Sequence, residues 1–212
     1  MDLSSPLSSL IPTMDAAALE VLAGTQSGLG VSKIHRLSRR GSRQGIANAL
    51  SRLVEHGLVQ AEPTNFGFIY RLNRDHILAS VILETTNARQ ELFERLATES
   101  EKLEPKPLAT VVFGSLARGD STVHSDIDLL FVLDELPEDL DPWVSQLDDL
   151  ALKVESWTGN PLQTLTHDLD HLDRLTASDE PIVRSWREDG ITIFGSDIDT
   201  LLDRAATQSV VR

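Results

Sequence analysis

The chain has 212 residues and no cysteine, which excludes disulfides and thiolate metal sites. No apolar run approaches the ~18 residues of a membrane span, and the segment from Met1 to Glu20 lacks both a basic start and a continuous apolar stretch; a cytoplasmic protein with no membrane attachment is expected. The net charge of −14 is uneven: residues 1–74 carry eight Lys/Arg against five Asp/Glu, and residues 75–212 carry eleven against twenty-eight.

In the N-terminal part, residues 15–24 predict a short helix stopped by Gly24. Residues 32–38 predict a second helix with Ser32 as N-cap. After a tight turn at Arg39–Arg40–Gly41, a third helix begins at the cap residue Ser42 and ends before Gly57. Its stripe of Ile46, Leu50, Leu53 and Val54 faces a core. Its other face shows Arg43, Gln44, Ala47, Asn48, Ser51 and Arg52. Two β-like runs around Thr64–Gly67 then predict a hairpin. Residues 31–52 hold Lys33, Arg36, Arg39, Arg40, Arg43 and Arg52 and no acid, which suits a polyanion or, equally, a solvated helical face.

Three helices and a hairpin in that order resemble a winged helix-turn-helix over residues 14–73. The resemblance implies double-stranded DNA as partner. The third helix would enter the major groove, with Arg43, Gln44 and Asn48 near base edges. Lys33, Arg39, Arg40, Arg52 and Arg71 would meet phosphates. The same fold also serves as a protein-docking or dimerisation module. The boundary is expected at residue 74.

Residues 75–105 predict one long connecting helix, with Leu78, Ile82, Leu92 and Leu96 on one side and Pro105 and Pro107 at its end. That side would pack on the following domain or on a second copy in a homodimer. From residue 106 onward, strands alternate with helices. Residues 108–115, 125–134, 161–167 and 190–194 read as strands. A helix over 141–157 has Asp141 as N-cap, Pro142 in its first turn, and Trp143, Leu147, Leu150, Val154 and Trp157 along one face. The fold class is therefore α+β, with a mixed sheet covered by helices at the C-terminus.

The chemistry concentrates in residues 114–128. Gly114–Ser115 ends a strand, and glycine lets backbone approach a ligand closely. Asp126 and Asp128, two apart at a strand start, point to one face. Carboxylates that close repel unless a cation lies between them. Mg²⁺, a hard ion held by one or two carboxylates plus substrate phosphates, suits that pair. The string Gly-Ser, ten residues, Asp-x-Asp resembles the nucleotidyltransferase signature of the DNA polymerase β superfamily. Ala117–Arg118–Gly119 and Ser125 match its minimal nucleotidyltransferase branch. The resemblance covers residues 89–203. It implies that Gly114, Ser115, Arg118 and Ser125 bind an NTP and that Asp126 and Asp128 hold Mg²⁺ and carry catalysis. The family reaction is attack of a hydroxyl on the α-phosphate, releasing pyrophosphate. A second Gly-Ser-Asp-x-Asp run at residues 195–199 lacks the ten-residue spacer and is expected to cap the last helix.

Active members usually carry a third acid on a neighbouring strand, which completes the metal site and takes the proton from the hydroxyl. Here Gln163 stands at that place, and an amide cannot serve as a base. Asp168 or Glu155 could supply the acid instead; two carboxylates could suffice for an easy acceptor; or the domain could bind nucleotide without transferring it. His124, His167 and His171 are expected at the surface, although a helical His167/His171 pair could hold a metal. The leading expectation is a DNA-binding regulator with a nucleotidyltransferase-like, Mg-NTP-binding domain. The alternative is an active transferase acting on a protein or small-molecule hydroxyl. Antitoxins of bacterial toxin pairs use the same fold, so a toxin is an expected partner by that resemblance.

Overall fold

The computed structural model describes residues 1–178 and 180–209. The chain divides into two units. Asp2 with residues 4–89 forms one; Met1 and Leu3 with the chain from Gln90 onward form the other.

The N-terminal unit contains α1 (Met14–Ala23), α2 (Val31–Ser38), α3 (Arg43–Glu55), a hairpin of β1 (Val59–Thr64) and β2 (Gly67–Leu72), and α4 (Ala79–Thr86). Alanines and leucines bury nearly every side of α1. It packs with Ile34 of α2, Ile46, Leu50 and Leu53 of α3, Val59 and Leu72 of the hairpin, and Ile82 of α4. Ser42 caps α3, its hydroxyl accepting from Gly45 N at 3.0 Å, and Gly24 closes α1. The cap of α2 is Gly30 rather than Ser32, so Ser32 lies inside the helix. The hairpin strands pair antiparallel from Val59↔Leu72 to Thr64↔Gly67.

The helix expected over residues 75–105 is two helices. α4 ends at Thr86, and α5 runs Ala88–Ser100. Asn87 between them has φ −91° and ψ 1°, outside the helical well. The Thr85 and Thr86 hydroxyls donate to the carbonyls of Val81 and Leu83, a competition with helical bonding that weakens a helix where it occurs. The helices serve different cores: Ile82 and Leu83 pack in the N-terminal unit, Leu92 and Leu96 in the C-terminal one.

The C-terminal unit is a four-stranded mixed sheet between two helical layers. Its strands are β3 (Ala109–Phe113), β4 (Ile127–Leu133), β5 (Leu162–Asp168) and β6 (Ile191–Gly195), in the order β5-β4-β3-β6. β3 runs antiparallel to both β4 and β6, and β4 parallel to β5. Ile127 and Leu129–Leu133 are all buried, as expected of a strand covered on both faces. One face carries Leu129, Phe131 and Leu133 against α5 and α7 (Asp141–Thr158), whose Trp143, Leu147, Leu150 and Val154 fill the layer. Trp143 Nε1 donates to Thr166 Oγ1 at 3.0 Å. Asp141 is the first residue of α7 rather than its cap; the carboxylate of Asp139 accepts from Asp141 N.

The other face carries Val111, Leu130 and Val132. It lies under α8 (Leu169–Ala177), α9 (Pro181–Asp189) and α10 (Ile198–Ser209). Asp197 accepts from Asp199 N at 3.0 Å where α10 begins, so the second Gly-Ser-Asp run is a helix cap as expected. Among the described residues no helix is long and apolar enough to cross a membrane.

Candidate nucleotide and metal site

Register brings one end of four strands together. Phe113, the last residue of β3, pairs with Asp128. Asp128 pairs in turn with Gln163, the second residue of β5. β6 begins at Ile191 opposite Val112. The turn after β3 is α6 (Gly114–Arg118), so Gly114, Ser115, Asp126, Asp128 and Gln163 all belong to this end of the sheet.

Gly114 is required twice over. Its φ of +69° is strained for any residue with a Cβ, and a Cβ there would lie 2.2 Å from Asp128 Oδ2. Backbone and carboxylate therefore pack directly on one another. Asp126 is exposed just before β4, and Asp128 is half-buried within it. Burial, then the charge of Asp126, push the Asp128 carboxyl above its usual range, and Arg118 pulls it partly back. Arg118 lies 3.4 Å from Asp120 and 3.9 Å from Asp189. Ser125 is used inside the loop: its hydroxyl accepts from Thr122 N at 2.9 Å and lies 3.3 Å from Thr122 Oγ1.

Sequence reasoning missed Asn160. It is buried, and its amide donates to the carbonyls of Ser125 at 2.9 Å and Thr122 at 3.5 Å. Its Oδ1 accepts from the Met1 ammonium at 2.6 Å. Beside it, the Pro161 carbonyl accepts from Ile127 N. Asn160 thus ties the loop that carries the acids to the start of β5. The sequence signal was a Gly-Asn-Pro turn ahead of a strand, which reads as punctuation.

Gln163 and Asp128 are neighbours on adjacent parallel strands and share a face, at the ~4.8 Å spacing of paired strands. Asp168 does not substitute for the missing acid. It pairs with Leu133 at the far end of β4, about 17 Å away at strand rise, and caps α8 by accepting from His171 N. Glu155 is exposed on α7, the helix of the opposite layer. Among the described residues no group of three or more His, Cys, Asp or Glu side chains could hold a metal. Asp126 and Asp128 by themselves would leave most of a divalent ion's shell to phosphate oxygens and water, and on the neighbouring strand the residue paired with Asp128 is the amide Gln163.

The histidines divide. His124 is exposed as expected. His167 and His171 are half-buried, not superficial, and do not share a helix: one lies in β5, the other in α8. Their ring centroids lie 4.4 Å apart with the planes tilted by 52°, and the Trp186 ring lies 5.8 Å from that of His167. Burial, then the charge of His171, hold the His167 imidazole below its usual value, which disfavours an imidazolium there.

In the N-terminal unit, folding engages much of the expected basic face. Arg40 pairs with Asp2, Arg52 with Asp15 at 2.8 Å, and Arg71 with Glu62. Arg43 Nε donates to Ser32 Oγ at 3.1 Å, and Gln44 Nε2 to Asn48 Oδ1 at 2.9 Å. Lys33, Arg36 and Arg39 are exposed and make no ion pair among the described residues. Phe66 stands fully exposed at the hairpin tip.

A four-stranded mixed sheet presenting Gly-Ser and Asp-x-Asp at one strand end defines a nucleotidyltransferase-type protein. The chain belongs to the polymerase β nucleotidyltransferase family, whose family model matches residues 94–199, half of its length. Members of this family generally use Mg²⁺ and an NTP. Two solved structures are similar to part of the chain. One is a toxin–antitoxin crystal structure with AMP-PNP, at 18% identity and TM-score 0.40, covering 55% of this chain and 86% of that one. The other is a point mutant of the toxin–antitoxin pair MntA–HpeT, at 17% identity and TM-score 0.35, covering 54% and 83%. No curated protein matches.

Proposed function

We propose that this protein is a DNA-binding regulator whose C-terminal unit binds Mg-NTP at the Gly114–Ser115 turn and the Asp126/Asp128 pair and transfers the nucleotide slowly or not at all. The observation that carries the catalytic part is the register of Gln163 with Asp128. The neighbouring-strand place where family members usually keep an acid is held by a neutral amide. Bound Mg²⁺ would supply charge neutralisation at the phosphates. Asp126 and Asp128 would hold it, the backbone at Gly114 and the Ser115 hydroxyl would face phosphate oxygens, and Arg118 would meet the phosphate tail. No described carboxylate of the neighbouring strand then stands beside Asp128 to take the acceptor proton, since Asp168 lies at the strand's far end.

The N-terminal unit is proposed as a winged helix-turn-helix, with α3 in the major groove and the β1–β2 hairpin as wing. The order of its elements and the exposed Lys33, Arg36, Arg39, Arg43, Gln44 and Asn48 support this reading. Calorimetry with ATP and Mg²⁺ tests the nucleotide site: wild type is expected to bind, and Asp126→Asn and Asp128→Asn to lose at least tenfold. Equal binding by Asp126→Asn removes the site assignment.

An active transferase is the second reading. It is favoured by the costly arrangement kept at the acids, where Asp128 is packed against Gly114 and repelled by Asp126. Its acceptor would be a hydroxyl of a protein, such as a toxin partner, or of a small molecule.

A further inference from the structure

The far end of β5 carries a second set of ligating side chains. β5 ends in His167–Asp168, and α8 starts at the next residue. Thr166 faces α7 through its hydrogen bond from Trp143, so alternation along the strand turns His167 to the other layer, toward α8 and α9. The Asp168 carboxylate accepts from His171 N at 2.7 Å and fixes the first turn of α8 against the strand end. Two imidazoles from different elements are thereby brought together, their ring centroids 4.4 Å apart. Both residues are half-buried, so the pair keeps access to solvent. Folding leaves their nitrogens unused. His167 Nδ1 is shut off from solvent with no hydrogen-bond partner of normal geometry. The ring nitrogens of His171 make no hydrogen bond or ion pair among the described residues. A buried polar atom without a partner is uncommon in a folded protein, and a water or an ion is what satisfies it.

We infer that His167 and His171 form a second metal site, for a borderline divalent transition ion such as Zn²⁺, Ni²⁺ or Cu²⁺. A neutral imidazole keeps one nitrogen lone pair, and such donors suit these ions, whereas Mg²⁺ takes oxygen. The ion takes one nitrogen from each ring and completes its shell with water, since no third His, Cys, Asp or Glu among the described residues joins the pair. It therefore binds more weakly than in a closed four-ligand site. Bound there, it joins the end of β5 to the first turn of α8. The site is independent of the one proposed at Asp126/Asp128. His167 pairs with Val132 and Gln163 with Asp128, about 13 Å apart along the strand at strand rise.

The test titrates the full chain with Zn²⁺ by calorimetry, in excess Mg²⁺ so that carboxylate sites are already filled. Wild type is expected to bind one Zn²⁺ under these conditions. His171→Gln and His167→Gln should each weaken it about tenfold or more, since even the partners that orient a ligating histidine are worth that much. His35→Gln and His124→Gln, both at exposed positions, should match wild type. Zn²⁺ should also raise the melting temperature of wild type and leave that of His171→Gln unchanged, because an ion that binds only the folded chain stabilises it. Circular dichroism checks that each variant folds. If His167→Gln does not, the decision falls to His171→Gln, whose side chain lies on a partly exposed helix face. With Cu²⁺ as probe, electron paramagnetic resonance should show coupling to two nitrogens in wild type and to one in His171→Gln. No Zn²⁺ bound by wild type, affinity unchanged in a folded His171→Gln, or a Cu²⁺ spectrum without nitrogen coupling overturns the inference.

Discussion

The two units treat their charged residues in opposite ways. In the C-terminal unit, strand register gathers residues distant in sequence to one sheet end, and like charges stay together: Asp126 beside Asp128, with the latter pushed up in pKa. In the N-terminal unit, charges that looked like a cluster are dispersed into internal pairs, Arg40 with Asp2, Arg52 with Asp15 and Arg71 with Glu62. Charge held in an unfavourable arrangement marks a place where a ligand's charge is awaited. Charge that finds an internal partner is ordinary surface structure, worth little individually. The basic island therefore narrows on folding, while the acidic motif becomes sharper.

The sharpest break in this contrast is Gly114→Ala. The variant needs a strained positive φ and places a Cβ 2.2 Å from Asp128 Oδ2. A loss of about 2–3 kcal/mol in unfolding free energy is expected, with Mg-NTP binding abolished by calorimetry. Wild-type binding would show that the backbone of the turn does not shape the acid site.

Asn160→Ala should come next. It removes the buried amide that holds the carbonyls of Thr122 and Ser125, and leaving buried groups unpaired costs about 1–3 kcal/mol. A chemical denaturation curve measures this, and nucleotide affinity should fall with it because the loop carries Asp126.

Asp128→Asn is expected to act in the other direction on stability. Asp128 is raised in pKa in the folded state, so its contribution to stability is present below the unfolded value and is lost as pH rises through the folded one. At neutral pH the variant should gain up to about 1 kcal/mol, the scale of a like-charge contact near solvent, and the gain should shrink on acidification. Mg-NTP binding by wild type should weaken as pH falls through the raised Asp128 value, since the metal needs the anion. A variant less stable than wild type at pH 7 would contradict the strain assigned to this pair.

The smallest effects belong to the N-terminal unit. Neutralising Lys33, Arg36 and Arg39 together should weaken binding to all DNA sequences and lower the salt slope by about 0.9 for each lost phosphate contact. Neutralising Arg52 and Arg71, which already have acidic partners, should change the slope less. Equal loss in both sets, measured by gel shift over a salt series, would erase the distinction between unpaired and ion-paired basic residues.

The contrast also explains what the sequence made legible. Ser42 as cap, the hairpin at Thr64–Gly67 and the helical cap at Asp197 depend on neighbours a few residues away, and each was readable. The place of Gln163 beside Asp128 was legible because a recognised strand pattern fixes which strands lie together. The ion pairs of Arg40, Arg52 and Arg71 were not, because the partners of Arg40 and Arg52 lie more than thirty residues away and nothing in spacing announces them. The break at Asn87 was hidden for another reason. The apolar pattern runs on through it, and the two halves serve different cores.

The central claim is that the C-terminal unit keeps the nucleotide and metal half of a transferase site and lacks its base. Gln163→Asp tests it most directly, because the new carboxylate would stand beside Asp128 on the same face. With radiolabelled ATP, Mg²⁺ and the protein's own hydroxyls or added acceptor, wild type is expected to transfer little label and Gln163→Asp at least tenfold more, with the gain lost on adding Asp128→Asn. Rapid transfer by wild type, undiminished in Gln163→Ala, would contradict the account and place the base elsewhere.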